Sequence, residues 1–393
     1  MSRPSLSGIP IVCLGFAEWD AETRTNQHHL MARLARESPV LFIESLGLRR
    51  PTASARDLRR MARRFVRGLR PLRREGGLDV LSPLVIPYHG RAIFRHLNER
   101  LLNRVVRRAM RTRELRSPIL WTYVPQGLAL VDTLDPRLVV YHCVDDIAAH
   151  GRIDAASFRQ LEHALVREAD VVIASSRPIY DRLSEISENV RLMPNVADTD
   201  AFAAALEPGP VDPAVELLPR PRVVFVGAVS AVKVDIQLVA ELARMRRDWS
   251  IALVGPVGLG DPETDVSELR QEPNVHLLGP RGYDELPAVL RGVDAGVIPY
   301  RMNALTASIF PMKVYEYLAA GIPTVSTPLP ALVGVEGIEF AADASEMSAH
   351  LERLIAQDSE ERRTERSRLA TGHSWDARLA EIHEAICELP WRR

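Results

Sequence analysis

The sequence has little of what marks a secreted, membrane-spanning or disordered protein. Its three cysteines, Cys13, Cys143 and Cys387, are too few and too widely separated for a disulfide framework. No apolar run reaches the roughly 18 residues that cross a bilayer, and the N-terminus has no signal-peptide pattern. We therefore expect a protein of the reducing cytoplasm, soluble or peripheral on the inner face of a membrane.

Neither sign of charge dominates the chain as a whole. The formal net charge is -1, and 46% of the 393 residues are hydrophobic. This ordinary globular composition excludes extensive disorder, and the length suits two domains better than a single core.

Charge of one sign is nevertheless concentrated locally. Arginines dominate residues 49–74 almost without acids, and a second basic cluster covers residues 91–116. In the first cluster, apolar residues recur at three- and four-residue spacing: Leu58, Met61, Phe65, Leu69 and Leu72. The pattern predicts a basic amphipathic helix at 49–74 that makes peripheral contact with an anionic membrane. The alternatives are a solvated helix face and a nucleic-acid patch, but no aromatic interleaving supports nucleic acid.

Short apolar runs alternate with helical patterns along the chain. In the first half the runs are residues 11–16, 40–44, 80–82, 119–122, 139–142 and 171–174. Helices are predicted from about residue 26, at 95–110 and at 155–167. A stretch rich in Pro and Ala, 203–221, has no strand signal and indicates a linker. The runs after it are residues 223–227, 251–254, 275–278, 295–299 and 324–326. This rhythm predicts an α/β fold with two doubly wound parallel sheets.

Polar side chains follow two of the predicted strands. His28 and His29 lie beyond the first strand, where ligands of open α/β sheets bind, and they either face a ligand or begin the next helix. Asp145 and Asp146 follow the strand at 139–142 and suit either the hydroxyl groups of a sugar or the N-cap of a helix. No further ligand stands at metal-binding spacing from the histidines, so we expect no metal site.

One stretch, SIFPMKVYEYLAAGIPTVST at 308–327, organises the second half of the chain. Pro311 suits a first helical turn, and Gly321 followed by a proline ends a helix, so a short helix and then a strand are predicted. A helix start beside Ser308, with Lys313 in its first turns, offers N–H groups and positive charge to an anion such as a diphosphate. Glu316, one turn further, suits a ribose hydroxyl. The alternative is a surface ion pair between Lys313 and Glu316.

This stretch resembles the donor-binding segment of GT-B glycosyltransferases of the GT4 type, most closely the branch that includes teichuronic-acid-type enzymes. The resemblance implies two Rossmann-like domains facing across a cleft. Residues 1–200 would form the acceptor side, 201–372 the nucleotide-sugar side, and 373–393 a helix that crosses back. It also implies retention of anomeric configuration and no cofactor, since the nucleotide sugar is a co-substrate.

The resemblance further suggests individual site residues. RLMPNVAD at 191–198 is similar to the segment that closes the first domain, and GPRGYDELP at 279–287 to the turn that lines the nucleobase pocket. The donor side is thereby expected to include Gly227, Lys233, Arg281, Tyr283, Ser308, Ile309, Lys313 and Glu316. On the acceptor side, the resemblance gives catalytic roles to Asp145, Asp146 and His28.

The sequence departs from the family pattern in four places, the first of which is the glycine that the RLMPNVAD segment lacks. Thr25-Asn26-Gln27 replaces the usual glycine-rich turn, Ala228 stands where an arginine is usual, and Ser308 occupies the first of two glutamate positions. A serine bonds a sugar hydroxyl but carries no charge, so sugar recognition differs from the usual pattern.

Three functions therefore remain open at this stage. The first is a retaining, metal-independent glycosyltransferase with a UDP-, GDP- or dTDP-linked donor and a polysaccharide, lipid-linked or natural-product acceptor. The second is a nucleotide-sugar-binding protein without turnover, suggested by Ser308 and Ala228. The third is a sugar-nucleotide epimerase, for which only the Asp145-Asp146 and His28-His29 groups are available.

Overall fold

The computed structural model describes residues 6–21, 23–45, 72–84, 92–149 and 153–392. The chain divides into two compact units, of which the first comprises Met1–Pro194 with Leu379–Arg393 and the second Asn195–Arg378. The first boundary therefore falls after Pro194, inside the RLMPNVAD segment, rather than after residue 200. In the described ranges, every helix is too short or too polar to span a bilayer.

The first unit is built on a sheet whose eight described strands have the order β3-β4-β2-β1-β5-β6-β7-β8. The strands are β1 (Ile11–Leu14), β2 (Val40–Ile43), β3 (Leu72–Glu75), β4 (Leu78–Leu81), β5 (Ile119–Thr122), β6 (Leu138–Cys143), β7 (Val171–Ala174) and β8 (Val190–Leu192). The described α-helices of this unit are Asn26–Leu34, Ala92–Thr112, Leu128–Leu134, Ala155–Glu168 and Arg177–Ser184. Only β3 and β4 pair antiparallel among these strands; the other pairs are parallel.

The second unit has a sheet of six described strands, all parallel, in the order β11-β10-β9-β12-β13-β14. The strands are β9 (Arg222–Val226), β10 (Ser250–Val254), β11 (Val275–Gly279), β12 (Ala295–Ile298), β13 (Thr324–Ser326) and β14 (Ile338–Phe340). Its α-helices are Thr199–Ala203, Pro213–Glu216, Ile236–Met245, Ser267–Gln271, Leu286–Arg291, Lys313–Ala319, Ala344–Ala356 and Glu360–Ala370. A last helix, Trp375–Cys387, begins in this unit and ends in the first.

Continuous apolar runs form the central strands because both faces of a parallel sheet are covered by helices. Every residue of β1, β2, β5 and β7 is buried. The predicted strands 119–122, 171–174 and 324–326 are confirmed with these bounds, and the other predicted runs are confirmed within two residues at either end. The βαβ rhythm of the sequence thus produces two doubly wound sheets.

Two sequence predictions fail in the described residues. Of the basic helix predicted at 49–74, residues 49–71 lie outside the described ranges, and Leu72–Glu75 is a strand that turns at Gly76-Gly77 into β4. Arg73 of this strand pairs with Glu44 at 2.8 Å, which the helical prediction did not anticipate.

The stretch 203–221 is not a linker between the units. It belongs wholly to the second unit and contains the short helix Pro213–Glu216. Asp212 caps this helix by accepting hydrogen bonds from the N–H groups of Ala214 and Val215, and Val215 is fully buried. Proline and alanine therefore mark a packed helical segment here, because proline is well tolerated in a first helical turn.

Candidate functional site

The candidate site lies where the strand order of the second sheet reverses. β9 pairs with β10 on one side and with β12 on the other, so the connections leave β9 and β12 in opposite directions along the sheet. Ligands of open α/β sheets bind outside the carboxyl ends of the strands at such a point. Gly227 directly follows β9, and Tyr300 follows β12 by two residues. The helix Lys313–Ala319 comes next along the chain.

Glu316 is the most unusual charged group of this region. Its residue is only 7% exposed, and burial raises the pKa of its carboxyl to about 7 although the nearby Lys313 charge lowers it. No hydrogen bond from the described residues reaches the carboxylate oxygens. A buried carboxylate without such partners is costly, and perturbed groups of this kind concentrate at functional sites. The alternative of an exposed surface pair with Lys313 is excluded by this burial.

The Lys313 ammonium lies against the end of β9. Its Nζ donates a hydrogen bond of 2.9 Å to the Tyr300 hydroxyl, and it stands 5.2 Å from the ring centre of Phe225 and 5.0 Å from that of Tyr300. Gly227 has a φ of 141°, and a Cβ built on it would lie 3.4 Å from Lys313 Nζ. The two aromatic faces stabilise the cation where the backbone leaves β9.

The helix that carries Lys313 and Glu316 is anchored directly to the sheet. The Tyr317 hydroxyl accepts a hydrogen bond of 2.7 Å from the N–H of Val226, the last residue of β9. The Tyr317 ring packs over Gly296 so closely that a Cβ there would lie 2.7 Å from it. Gly321, with φ of 71°, ends the helix as the sequence predicted. Lys313 and Glu316 therefore sit on a rigid support.

Lys233 lies on the loop that follows Gly227, and two neighbouring loops hold the backbone of that loop. Thr264 Oγ1 accepts from the Ala231 N–H at 3.0 Å, and the Asn303 side chain donates to the Val232 carbonyl at 2.9 Å. The Lys233 carbonyl accepts from the Arg301 N–H at 2.7 Å. Lys233 is half-buried at the end of this fixed loop.

Arg281 and Tyr283 use their side chains within the fold. Arg281 Nε donates to Asp212 at 2.6 Å, and its Nη1 donates to the Leu278 carbonyl at 2.9 Å. Tyr283 packs edge-on against Phe202, with 5.4 Å between ring centres. The side chains of both residues therefore make structural contacts within the second unit.

Ser308 and Ile309 form the turn before the helix. Ser308 ends the 3-10 helix Thr306–Ser308 and is 8% exposed. The Ile309 N–H donates to the Thr306 carbonyl at 3.1 Å, so this amide is already bonded within the turn.

In the first unit, both ring nitrogens of His28 are bonded locally. Nδ1 accepts from the Thr25 N–H at 3.0 Å, and Nε2 donates to the Glu18 carbonyl at 2.9 Å. Burial lowers the pKa of His28 and holds the ring neutral. This arrangement favours the alternative that His28 begins the helix. Burial likewise lowers the pKa of the neighbouring His29 to about 3.

Asp146 belongs to a buried ion-pair network. Its carboxylate pairs with Arg159, which also bonds Glu162 at 3.1 Å, and Glu162 accepts from Arg182 at 2.6 Å. Burial favours protonation of Glu162, but the hydrogen bonds from Arg182 and Tyr141 prevail and lower its pKa. Asp146 thus has Arg159 as an ion-pair partner within the fold, and the adjacent Asp145 is half-buried at the strand end.

The sequence did not point to several polar or aromatic residues that make contacts in these regions. Tyr300 and Asp212 are the partners of Lys313 and Arg281. In the first unit, the Tyr123 hydroxyl donates to Asn26 at 3.1 Å and its ring stacks on His142 at 5.0 Å. Tyr300 and Tyr123 follow predicted strands within two residues, so the strand-end rule that drew attention to His28 and His29 also applies to them.

Three comparisons with known proteins show what this chain is similar to. Residues 220–357, which include every donor-side candidate, match the family described as Glycosyl transferases group 1. A curated relative from Bacillus subtilis (strain 168), "Putative teichuronic acid biosynthesis glycosyltransferase TuaH", is 26% identical over 291 residues, or 67% of this chain and 70% of the relative.

Solved structures share the fold across almost the whole chain. Sucrose-phosphate synthase from Thermosynechococcus elongatus has a TM-score of 0.67 at 15% identity. The match covers 96% of this chain and 98% of the synthase chain. Anabaena HepE has a TM-score of 0.66 at 16% identity, and the match covers 97% of this chain and 100% of the HepE chain. The trehalose 6-phosphate synthase of Burkholderia multivorans gives 0.67 at 13% identity, with 97% of both chains covered. With the two doubly wound sheets, the solved structures show that the chain has the GT-B fold, and the family match and the Bacillus relative support a glycosyltransferase of the GT4 type.

Proposed function

We propose that this glycosyltransferase binds its nucleotide-sugar donor at the carboxyl ends of β9 and β12 and transfers the sugar with retention of configuration, without a metal ion. The observation that carries the proposal is the Glu316 carboxylate, which is buried beside Lys313 and receives no hydrogen bond from the described residues. Hydroxyl groups of a bound ribose would supply the missing donors, and such charge-assisted hydrogen bonds are among the stronger ones in proteins.

The remaining donor-side residues take roles that follow from their positions. Lys313 and Lys233 stabilise the negative charge of the diphosphate, which is the leaving group. Electrostatic stabilisation of this kind is usually the largest catalytic contribution. Backbone groups near Arg281 contact the base, with Tyr283 packed beside it. Ser308 bonds a sugar hydroxyl in place of the usual carboxylate.

The comparisons suggest an order in which to test donors and acceptors. Anabaena HepE was solved in complex with UDP and glucose and with UDP-glucose, which makes UDP-sugars the first candidates ahead of GDP- and dTDP-sugars. The name of the Bacillus relative favours a cell-envelope polysaccharide as acceptor, followed by lipid-linked and natural-product acceptors. We propose that the reaction takes place in the cytoplasm, where nucleotide sugars are made.

On the acceptor side, the first unit offers one candidate ahead of the others. Asp145 directly follows the loop residue after β6, at the edge of the sheet where ligands of open α/β folds bind, and we place it nearest to the acceptor for that position. Both ring nitrogens of His28 are bonded locally. These bonds weigh against an epimerase that uses His28 at the sugar ring.

The test is calorimetry with UDP, GDP, dTDP and their common sugar conjugates, with no metal added. Selective micromolar binding of one base supports the donor site, and weak, unselective binding of all of them would contradict it. Transfer to an acceptor, followed by the anomeric configuration of the product, then separates a retaining transferase from a binding protein without turnover. That second function is kept open by Ser308 and Ala228. A change of the sugar without acceptor would indicate an epimerase.

Tyr300 provides a sharper test of the role of Lys313. Replacing Tyr300 with phenylalanine removes the hydrogen bond to Nζ and keeps the ring, so we expect nucleoside diphosphate binding to weaken by about 1 kcal/mol. Binding of the corresponding nucleoside, which lacks phosphates, should not change. Tyr180→Phe, a partly buried tyrosine of the first unit, serves as the control. Equal losses for nucleoside and diphosphate would refute the phosphate role of Lys313.

A further inference from the structure

One helix of the first unit carries a row of arginines on its outer side. The helix Ala92–Thr112 exposes Arg100, Arg104, Arg107, Arg108 and Arg111, which we call the arginine face. At 3.6 residues per turn these spacings keep all five within an arc of about 100°, along roughly 16 Å of helix. With Asn103 they line an open cavity of about 510 Å³.

The arginine face is held outward by the packing of the opposite side. Leu102, Val106 and Ala109 are buried in the core of the first unit and are at most 4% exposed. Because residues three and four apart share a side of a helix, this buried stripe fixes which side chains point away from the sheet. The guanidinium groups are therefore presented on a rigid support.

The arginine face has no carboxylate partner among the described residues. Elsewhere the chain pairs its arginines extensively, as Arg113 does with Asp79 at 2.8 Å just beyond the face. Glu99, a neighbouring acid on the helix, pairs with His96 at 3.1 Å. Like charges three and four residues apart repel one another and weaken the helix. An anionic partner from outside these described residues would remove that repulsion.

The composition of the face indicates which anion it fits. Leu97 lies on the same side, three residues before Arg100, and is 42% exposed. From Leu97 to Thr112 the helix has no Phe, Tyr or Trp on which nucleic-acid bases would stack. Guanidinium groups bind phosphate in a bidentate manner, and an exposed leucine gains by entering the apolar boundary of a bilayer. The combination favours a lipid surface over a nucleic acid.

We propose that the arginine face docks on a bilayer of anionic phospholipid, with its guanidinium groups bound to lipid phosphates and Leu97 in the interface. This surface lies within the first unit and does not depend on donor binding by the second. A protein held in this way would act on acceptors displayed at the membrane surface.

The experiment is co-sedimentation of the full chain with vesicles of phosphatidylcholine alone or with about one-third phosphatidylglycerol, at about 0.1 M salt. The variant Arg104→Ala/Arg108→Ala removes two charges from the face. The control, Arg362→Ala/Arg368→Ala, removes two exposed arginines from the helix Glu360–Ala370, which also carries three glutamates. Since each basic residue near an anionic surface adds about fivefold to binding, we expect a loss of tenfold or more in the face variant and less than twofold in the control.

Several results would overturn the proposal. They are equal binding of the wild type to both vesicle types, no binding to either, or an equal loss of vesicle binding in the face variant and the control. Tighter binding of a soluble RNA than of anionic vesicles, lost in the same variant, would assign the face to nucleic acid instead. Calorimetry with UDP checks that the face variant is folded and keeps its donor site, and this separates a failure here from a failure of the proposed function.

Discussion

Replacing Glu316 with glutamine is expected to weaken binding of the preferred nucleoside diphosphate by about 2 kcal/mol, or roughly thirtyfold, because a charge-assisted hydrogen bond to ribose is lost. Glutamine keeps the size of the side chain, so the helix Lys313–Ala319 retains its packing on β9. Glu316→Ala should lose at least as much. Calorimetry at pH 8, where the wild-type carboxyl is ionised, measures the difference.

The matched control for this prediction is a second ligand that cannot make the hydrogen bond. A 2′,3′-dideoxynucleoside diphosphate lacks both ribose hydroxyls, so Glu316→Gln should bind it about as well as the wild type does. An equal loss with both ligands would remove the ribose assignment of Glu316. Lys233→Ala should show the complementary pattern, with a loss above about 1 kcal/mol for the diphosphate and none for the nucleoside.

The second large effect is a dependence of stability on pH that Glu316 causes by itself. Its pKa is raised from 4.5 to about 7 in the folded protein because the carboxyl is buried. Between about pH 4.5 and pH 7 the unfolded chain ionises this group while the folded chain keeps it protonated. The folded state therefore binds more protons, and the free energy of unfolding falls as pH rises through this window, by about 3 kcal/mol in total.

Urea unfolding of the wild type and of Glu316→Gln at several pH values between 4 and 8 isolates this contribution. Glutamine does not titrate, so the difference in unfolding free energy between the two proteins should shift by about 3 kcal/mol across the window in favour of the variant. The buried histidines contribute equally to both proteins and cancel. A constant difference would show that Glu316 ionises normally in the folded state. Bound ribose hydroxyls favour the carboxylate, so donor affinity should rise over the same window.

Much of the fold could be predicted because its signals are local. The runs that form β5 and β7, ILWT and VVIA, are almost wholly apolar, as is expected of strands covered on both faces. Proline near the start and glycine at the end of the helix Lys313–Ala319 likewise act through their own backbone angles. The hairpin of β3 and β4 was missed although Gly76-Gly77 signals a tight turn, because the arginines of β3 matched a helical pattern equally well.

The sequence by itself determined two doubly wound sheets, the helix that carries Lys313 and Glu316, and the resemblance that identified a glycosyltransferase. Only the tertiary structure decided which charged groups are available. It buried Glu316 without a hydrogen-bond donor among the described residues, while it paired Asp146 with Arg159 and Arg281 with Asp212. The physical reason is that propensity and periodicity act between neighbours in the chain, whereas desolvation and ion pairing depend on residues far apart in sequence, as Asp212 and Arg281 are.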